Sequence, residues 1–367
     1  MGRPQGRARR LGTILGLALA VLATAVPSAG ARPKPTPRLA FVNASNELRV
    51  VGADGRGERR IATAGRPLTE VSWDHLADPA WSPNGKLVAY GRNIGTVMVA
   101  ERAELRVVGV DGSDDTLLVS VPAGIIHTVR WSPDGRHLAF VLWTPNPAVA
   151  AATWTDYGGR WDLYLIDADG SGLRNVAPVH ASYSGHIDFS PDGSRLAFIS
   201  DQQGLRGVYT VDVADASLPV RLSPPDIMAS YPAWSPNGKR LVYAGTSVLD
   251  MADLTAPELW AIDADGSNPV RLPVRSWAPV SWSPDGKRLV YASANGLKTI
   301  GANGRGPRTL TSGNDYGPVW SRHGQIAFIR SEKQCCGRTL WVMNANGSNR
   351  HRVTWADRVD VGLAWSK

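Results

Sequence analysis

From residue 38 onward the chain is written in short apolar runs such as Leu39-Ala40-Phe41, Leu138-Ala139-Phe140 and Leu241-Val242-Tyr243, separated by polar turns rich in Pro, Asp, Asn and Gly. Apolar runs of this length between turn residues predict strands and hairpins rather than amphipathic helices. The runs recur as copies of one sentence. Aligned segments read WSPNGKLVAY from Trp81, WSPDGRHLAF from Trp131, FSPDGSRLAF from Phe189, WSPNGKRLVY from Trp234, WSPDGKRLVY from Trp282 and WSRHGQIAF from Trp320, and AWSK closes the chain at Trp365. Each copy predicts an aromatic-ended strand, a Ser-Pro-Asp/Asn-Gly turn and a second strand. Proline presets φ where the turn begins, and glycine accepts a positive φ where it ends.

A second hairpin follows in every unit, as in LYLIDADGSGLRNV from Leu163 and LWAIDADGSNPVRL from Leu259. Its tight turn falls on Asp-Gly or Asn-Gly. Two hairpins make one four-stranded sheet. The aromatic strands start at 81, 131, 189, 234, 282, 320 and 365, and the second turns centre on Gly55, Gly112, Gly170, Ala216, Gly266, Gly304 and Gly347, so both tallies give seven. The spacing of about 47 residues per unit is near that of four-stranded propeller repeats. The expected fold is all-β: a seven-bladed β-propeller of four-stranded antiparallel blades. The first copy lacks an inner strand, and Gly362–Lys367 is an inner strand with nothing after it. The C-terminal strand is therefore expected to join the N-terminal blade and close the ring, removing a free edge.

The Trp-Ser-Pro-Asp-Gly repeats resemble those of the TolB-type, WD-like β-propeller family over about 330 residues, at the repeat period that marks propellers. The resemblance implies the fold strongly and function weakly, because propellers host many functions. TolB proper has an α/β domain ahead of its propeller, so the resemblance is to the family and not to that protein.

Ahead of the repeats lies a leader-like segment. Arg3, Arg7, Arg9 and Arg10 precede an apolar run from Leu11 to Val26 and the small residues Ser28-Ala29-Gly30-Ala31, the layout of a signal peptide. The expected organisation is a signal peptide over 1–31, a linker over 32–37 and the propeller over 38–367, in an exported, extracellular or periplasmic protein with no membrane span after cleavage. Removing the leader takes four arginines from the formal +8, leaving about +4 in scattered positions. Nucleic acid is not expected as a partner, since that would call for clustered basic residues. The two cysteines, Cys335 and Cys336, are adjacent, so no disulfide framework holds the fold.

In an antiparallel blade the tight turns share one face of the ring, and the longer, irregular connections share the other. Of fourteen tryptophans, eight fall at framework strand positions. The other six, Trp73, Trp143, Trp154, Trp161, Trp277 and Trp355, fall in or beside the irregular connections, with Tyr157, Tyr183, Tyr231 and Tyr316. Aromatics gathered on one loop face suit recognition of a protein, peptide or glycan ligand. The longest such segment, 142–161, is expected to be functional. This reading is of an exported, non-catalytic binding scaffold that needs no cofactor.

An enzyme is the alternative. His75, His127 and His186, with Asp78 or Asp188, precede inner strands on the irregular face and are candidate ligands for a divalent metal. Some propeller lyases acting on pectin fragments use a site of that kind. Asp-Ala-Asp-Gly at 167–170 and 263–266 suggests calcium, but equivalent turns read Gly-Ala-Asn-Gly and Asn-Ala-Asn-Gly, which retain turn propensity without charge. No Gly-x-Ser-x-Gly elbow and no phosphate-binding P-loop occurs.

Overall fold

The computed structural model describes residues 36–65, 72–96, 99–145, 159–178, 186–215, 218–250, 256–276, 279–331, 337–354 and 359–366. Alternation of apolar and polar residues within the predicted runs builds seven sheets of four antiparallel strands. The strands are Arg38–Asn43 (β1), Glu47–Gly52 (β2), Arg59–Thr63 (β3), Ser72–Trp81 (β4), Leu87–Thr96 (β5), Ala100–Gly109 (β6), Thr116–Pro122 (β7), Ile125–Trp131 (β8), His137–Pro145 (β9) and Gly159–Asp167 (β10). They continue with Arg174–Pro178 (β11), Ile187–Phe189 (β12), Arg195–Ser200 (β13), Gly207–Asp212 (β14), Val220–Arg221 (β15), Ile227–Trp234 (β16), Arg240–Ser247 (β17), Glu258–Asp263 (β18) and Val270–Arg275 (β19). The last nine are Ser281–Trp282 (β20), Arg288–Ser293 (β21), Gly296–Gly301 (β22), Arg308–Thr309 (β23), Asp315–Trp320 (β24), Gln325–Ser331 (β25), Arg338–Asn344 (β26), His351–Arg352 (β27) and Val359–Trp365 (β28).

Blades two to seven are consecutive quartets from β4 to β27, and blade one is ordered β28-β1-β2-β3. The closure expected from the two ends is therefore present. β28 runs antiparallel to β1, with Leu39 opposite Trp365, Ala40 opposite Ala364 and Phe41 opposite Leu363. Leu39, Phe41 and Trp365 join buried residues of blade seven in one apolar cluster. The chain's two ends thus share a core as well as a sheet.

The Ser-Pro-Asp/Asn-Gly turn is accounted for bond by bond. In the second blade the Ser82 hydroxyl accepts from the Leu87 N–H at 2.9 Å, the Asn84 side-chain oxygen accepts from the Lys86 N–H at 3.0 Å, and the Gly85 N–H donates to the Ser82 carbonyl at 2.9 Å. Gly85 has φ +68°, where a side chain is strained. The Asp-Ala-Asp-Gly turns behave the same way: the Asp169 carboxylate accepts the Ser171 N–H at 2.9 Å and its hydroxyl at 2.7 Å.

Adjacent blades are tied by the inner-strand indoles. Trp81 donates its ring N–H to the Ala364 carbonyl, Trp131 to Ala80, Trp282 to Ala233 and Trp365 to Val319, each at 2.9–3.1 Å. In every case the acceptor is the residue just before the aromatic of the preceding blade. Nearer the rim, Arg59 donates to the Val110 carbonyl at 2.8 Å and Arg195 to the Ala264 carbonyl at 2.8 Å, while His351 Nε2 lies 2.8 Å from the Ala53 carbonyl. These acceptors are equivalent residues of the second turn in blades two, five and one, each reached from the blade before it, so one turn position serves as a recurrent seam.

Two irregular connections prove to be strand. Segment 91–104 is largely taken up by a long β5–β6 hairpin, and 142–145 and 159–161 extend β9 and β10 in unbroken pairing, with Trp143 opposite Trp161. Asn43-Ala44-Ser45 and Asn346-Gly347-Ser348 have the Asn-x-Ser form of a glycosylation acceptor; Asn43 is buried and engaged at both ends of its amide by Glu47, and Asn346 is exposed in a turn.

Candidate functional site: the mouth of the axial channel

Each inner strand starts on the loop face and runs down the channel wall to its Ser-Pro turn. Three of them carry an extra residue at an x-Pro-x-Trp run, beside the shifts also present in β8 and β28. Pairing shifts between Ala77 and Ala80, between Ser230 and Ala233, and between Tyr316 and Val319. The residues let out are Asp78-Pro79, Tyr231-Pro232 and Gly317-Pro318. Proline has no N–H to lose from the ladder, which is why a bulge tolerates it. The residue before each proline is left-handed: φ is +35° at Asp78, +55° at Tyr231 and +58° at Gly317. Glycine adopts this freely, whereas Asp78 and Tyr231 each carry about 1–2 kcal/mol of backbone strain.

The strained pair faces a channel of about 670 Å³, walled by inner-strand residues of all seven blades and bounded at one end by Asp78, Arg130, His186 and Tyr231. The His186 and Tyr231 rings are 4.4 Å apart and tilted by 60°. Arg130 lies 4.0 Å from the Asp78 carboxylate and donates to its neighbour Val129's carbonyl at 2.8 Å. Beside them His127 meets the edge of Trp161 at 5.9 Å. The mouth therefore offers a carboxylate, a guanidinium and tilted aromatic rings over a tube of indoles and prolines. Another cleft of about 710 Å³, between blades five and six, is walled by turn residues such as Ser235, Asn237 and Asp265, whose polar atoms already serve their turns.

Burial in the channel wall lowers the His186 pKa to about 4; the Asp78 carboxylate works against this shift, while Arg130 and His127 add to it. The ring is thus neutral at ordinary pH. A pKa depressed from 6.5 to about 4 means that the unfolded chain takes up this proton first as the solution is acidified. The stability linked to His186 is whole above pH 6.5 and is lost as pH falls toward 4. Allowing for the ring's partial exposure, the loss is on the order of 2 kcal/mol. Denaturant midpoints measured between pH 7 and 4 are expected to fall in the native protein and to flatten in His186→Phe. Asp192, held down to about 2 by hydrogen bonds from Ser190 and Ser194, acts only in a lower window, as pH falls from 3.8 toward 2.

The structure sorts the residues expected from sequence. Tyr231 stands at the mouth, and Trp161 is half-buried beside His127. Trp143 is a correction: it is only 4% exposed, and its indole covers Gly159 so closely that a Cβ there would collide with it, making it part of the framework. Tyr316 packs against the cluster that closes the ring, with Arg338 over its face at 5.9 Å. Trp73 lies in β4 opposite Gly95. Trp154, Tyr157, Tyr183, Trp277 and Trp355 lie outside the described residues, as do Ala216, Cys335 and Cys336 and the leader.

The histidine trio is not gathered. His75 is exposed in β4 opposite Asn93, and among the described residues no group of three or more His, Cys, Asp or Glu side chains is placed to hold a metal ion. Asp188 has a different task, accepting the Trp234 backbone N–H at 2.8 Å. Arg130 was not singled out from the sequence. The signal for the bulges was present, in the repeated x-Pro-x-Trp of Asp-Pro-Ala-Trp, Tyr-Pro-Ala-Trp and Gly-Pro-Val-Trp.

The family described as TolB beta propeller domain matches residues 31–253. The Tricorn protease homolog 1 of Streptomyces coelicolor is 29% identical over 240 residues, 62% of this chain and 19% of that protein, so the match spans about a fifth of the relative's length. Among solved structures, a puromycin hydrolase mutant complexed with PGG superposes with a TM-score of 0.62 at 11% identity, over 89% of this chain and 54% of that one. An oligogalacturonate lyase in complex with manganese gives 0.61 at 14% identity, over 81% and 82%. The two structures share the fold. A sequence relative named as a protease homolog overturns the expectation of a non-catalytic binding scaffold. The metal-lyase alternative loses its support with the ungathered histidines. Among the described residues no helix is long and apolar enough to cross a membrane.

Proposed function

We infer from one premise, that the chain belongs to the TolB β-propeller domain family, a role in peptide hydrolysis in which the axial channel receives the peptide to be cut. The observation that carries this reading is the mouth itself. Asp78 and Tyr231 are held there in strained backbone, beside Arg130 and His186, above a channel of about 670 Å³. Two strained residues that both line one cavity, Asp78 and Tyr231, point to a functional site there. The volume falls within the roughly 300–1,000 Å³ of small-ligand sites, enough for a few residues of extended peptide. Relatedness to a protease homolog supports peptide as the substrate class. The leader-like segment over 1–31 supports export.

The test is a peptide library incubated with the full chain under mild isolation conditions, followed by mass spectrometry and by fluorescence of the channel indoles. Peptides are expected to quench the indoles and to be shortened, with both effects at least about tenfold weaker in Tyr231→Ala, the loss expected for a buried aromatic anchor. The reading is overturned by peptides that neither quench nor are cut.

A further inference from the structure

The inner strands have one open edge, and the pleat fixes what that edge presents. In every blade the residue after the inner aromatic pairs with the second strand through its own N–H: Ser190 donates to Arg195 at 2.9 Å, Ser235 to Arg240 at 2.8 Å and Ser321 to Gln325 at 2.7 Å. Antiparallel neighbours alternate between pairs that exchange hydrogen bonds and pairs that do not. The aromatic residue's N–H therefore points away from the sheet, off the open edge.

Two blades show what meets that N–H. The Trp234 N–H donates to the Asp188 carboxylate at 2.8 Å, and the Trp320 N–H donates to the Ser281 hydroxyl at 2.9 Å. Asp188 and Ser281 hold the same register position, the residue just before the aromatic in the preceding blade. Where that position is Ala80, Ala233, Val319 or Ala364, no side-chain acceptor reaches across. At the seam between blades three and four the position holds Arg130, and the N–H opposite is that of Phe189. An arginine holds the position at which two sibling seams place an acceptor.

Arg130 and Phe189 thus flank one seam of the same cavity. By the same alternation the Phe189 N–H is not spent on β13. Arg130 donates to the Val129 carbonyl, and the nearest carboxylate oxygen, of Asp78, is 4.0 Å away, beyond hydrogen-bond reach. His127 and His186 also face this corner, and His186 is neutral. An oxyanion set between the guanidinium and the amide satisfies both.

We propose that the Arg130 guanidinium and the Phe189 N–H form a carboxylate-binding site in the channel wall. One ligand chemistry has two sources: the free C-terminus of a peptide, which rests on the peptide-hydrolysis reading above, and a small free carboxylate. A peptide held by its terminal carboxylate lies with its chain directed along the channel, so the site selects free ends over blocked or internal segments.

The experiment compares hexa-alanine bearing a free C-terminus with its C-terminal amide, and includes sodium acetate as the small carboxylate, all read by quenching of the channel indoles in the full chain. The free acid is expected to bind about tenfold or more tighter than the amide, as for one hydrogen-bonded charge. Arg130→Ser, which rebuilds the seam in the form that Ser281 already takes, is expected to erase that difference, and Arg130→Lys to restore part of it, with thermal unfolding confirming that both variants fold. Equal binding of acid and amide to the native chain overturns the inference and leaves the peptide reading in place. If neither peptide binds, the peptide reading falls and acetate decides: quenching that is lost in Arg130→Ser upholds the carboxylate site, and no quenching removes it.

Discussion

Removing Val359–Lys367 is expected to abolish the cooperative fold. β28 supplies the inner strand of blade one, and without it β1 becomes an open edge in the middle of the ring with Leu39 and Phe41 uncovered. Trp365 also bridges onward, its indole donating to the Val319 carbonyl of blade seven at 2.9 Å. Its indole is 8% exposed, so Trp365→Ala alone is expected to lower stability by about 3–5 kcal/mol, the range for emptying a buried aromatic site. Guanidinium unfolding followed by far-ultraviolet circular dichroism separates the two cases. The point variant shifts the midpoint of a single transition, and the truncated chain shows no cooperative transition. A truncated chain that melts like the native one removes closure as a source of stability.

The second large effect is expected at Arg92. Asp74 in β4 has a fully buried carboxylate, which takes a two-pronged bond from Arg92 in β5 at 2.9 and 2.7 Å and a further bond from the Gly65 N–H at 3.0 Å. The arrangement recurs in blade seven, where Arg330 grips the buried Asp315 at 2.7 and 2.8 Å. Arg92→Ala strands a buried charge, and the expected loss is about 3–5 kcal/mol. The double replacement Asp74→Leu with Arg92→Met removes both charges together and is expected to restore most of that loss, since a buried pair contributes little beyond an apolar substitute of like volume. A double variant as unstable as Arg92→Ala would show that packing around Arg92, and not its charge, accounts for the effect.

The scaffold was legible in the sequence because each of its devices repeats. Ser-Pro-Asp-Gly fixes the first turn through bonds that any copy can make, Asp-Ala-Asp-Gly fixes the second, and the aromatic at the inner strand's end recurs as a buried ring, tied in four blades by its ring N–H to the blade before it. Copies counted along the chain therefore became sheets counted around a ring, and the unmatched ends became one blade. The mouth was harder to read because it is built from departures from the repeat. Asp78, Tyr231 and Gly317 gain their positions from bulges, and a pleat shifted by one residue reassigns every side chain after it. Trp143 misled for the opposite reason: its polar and Pro-rich surroundings suggested a loop, while Trp161 and Gly159 sat at the right separation to pair with it as strand. Arg130 gave no signal on its own, since only the neighbouring seams, with Asp188 and Ser281 in the same place, make a guanidinium there unusual.

The sheet holding both ends has a further consequence for how the protein comes into being. Strands β4 to β27 can assemble in the order in which a ribosome emits them, blade after blade, but β1 to β3 must wait for a partner made after all the others. Until Val359–Trp365 emerges, the growing polypeptide is an unlatched arc with its earliest hairpin unfinished, and the final lock engages only once synthesis has passed the whole ring.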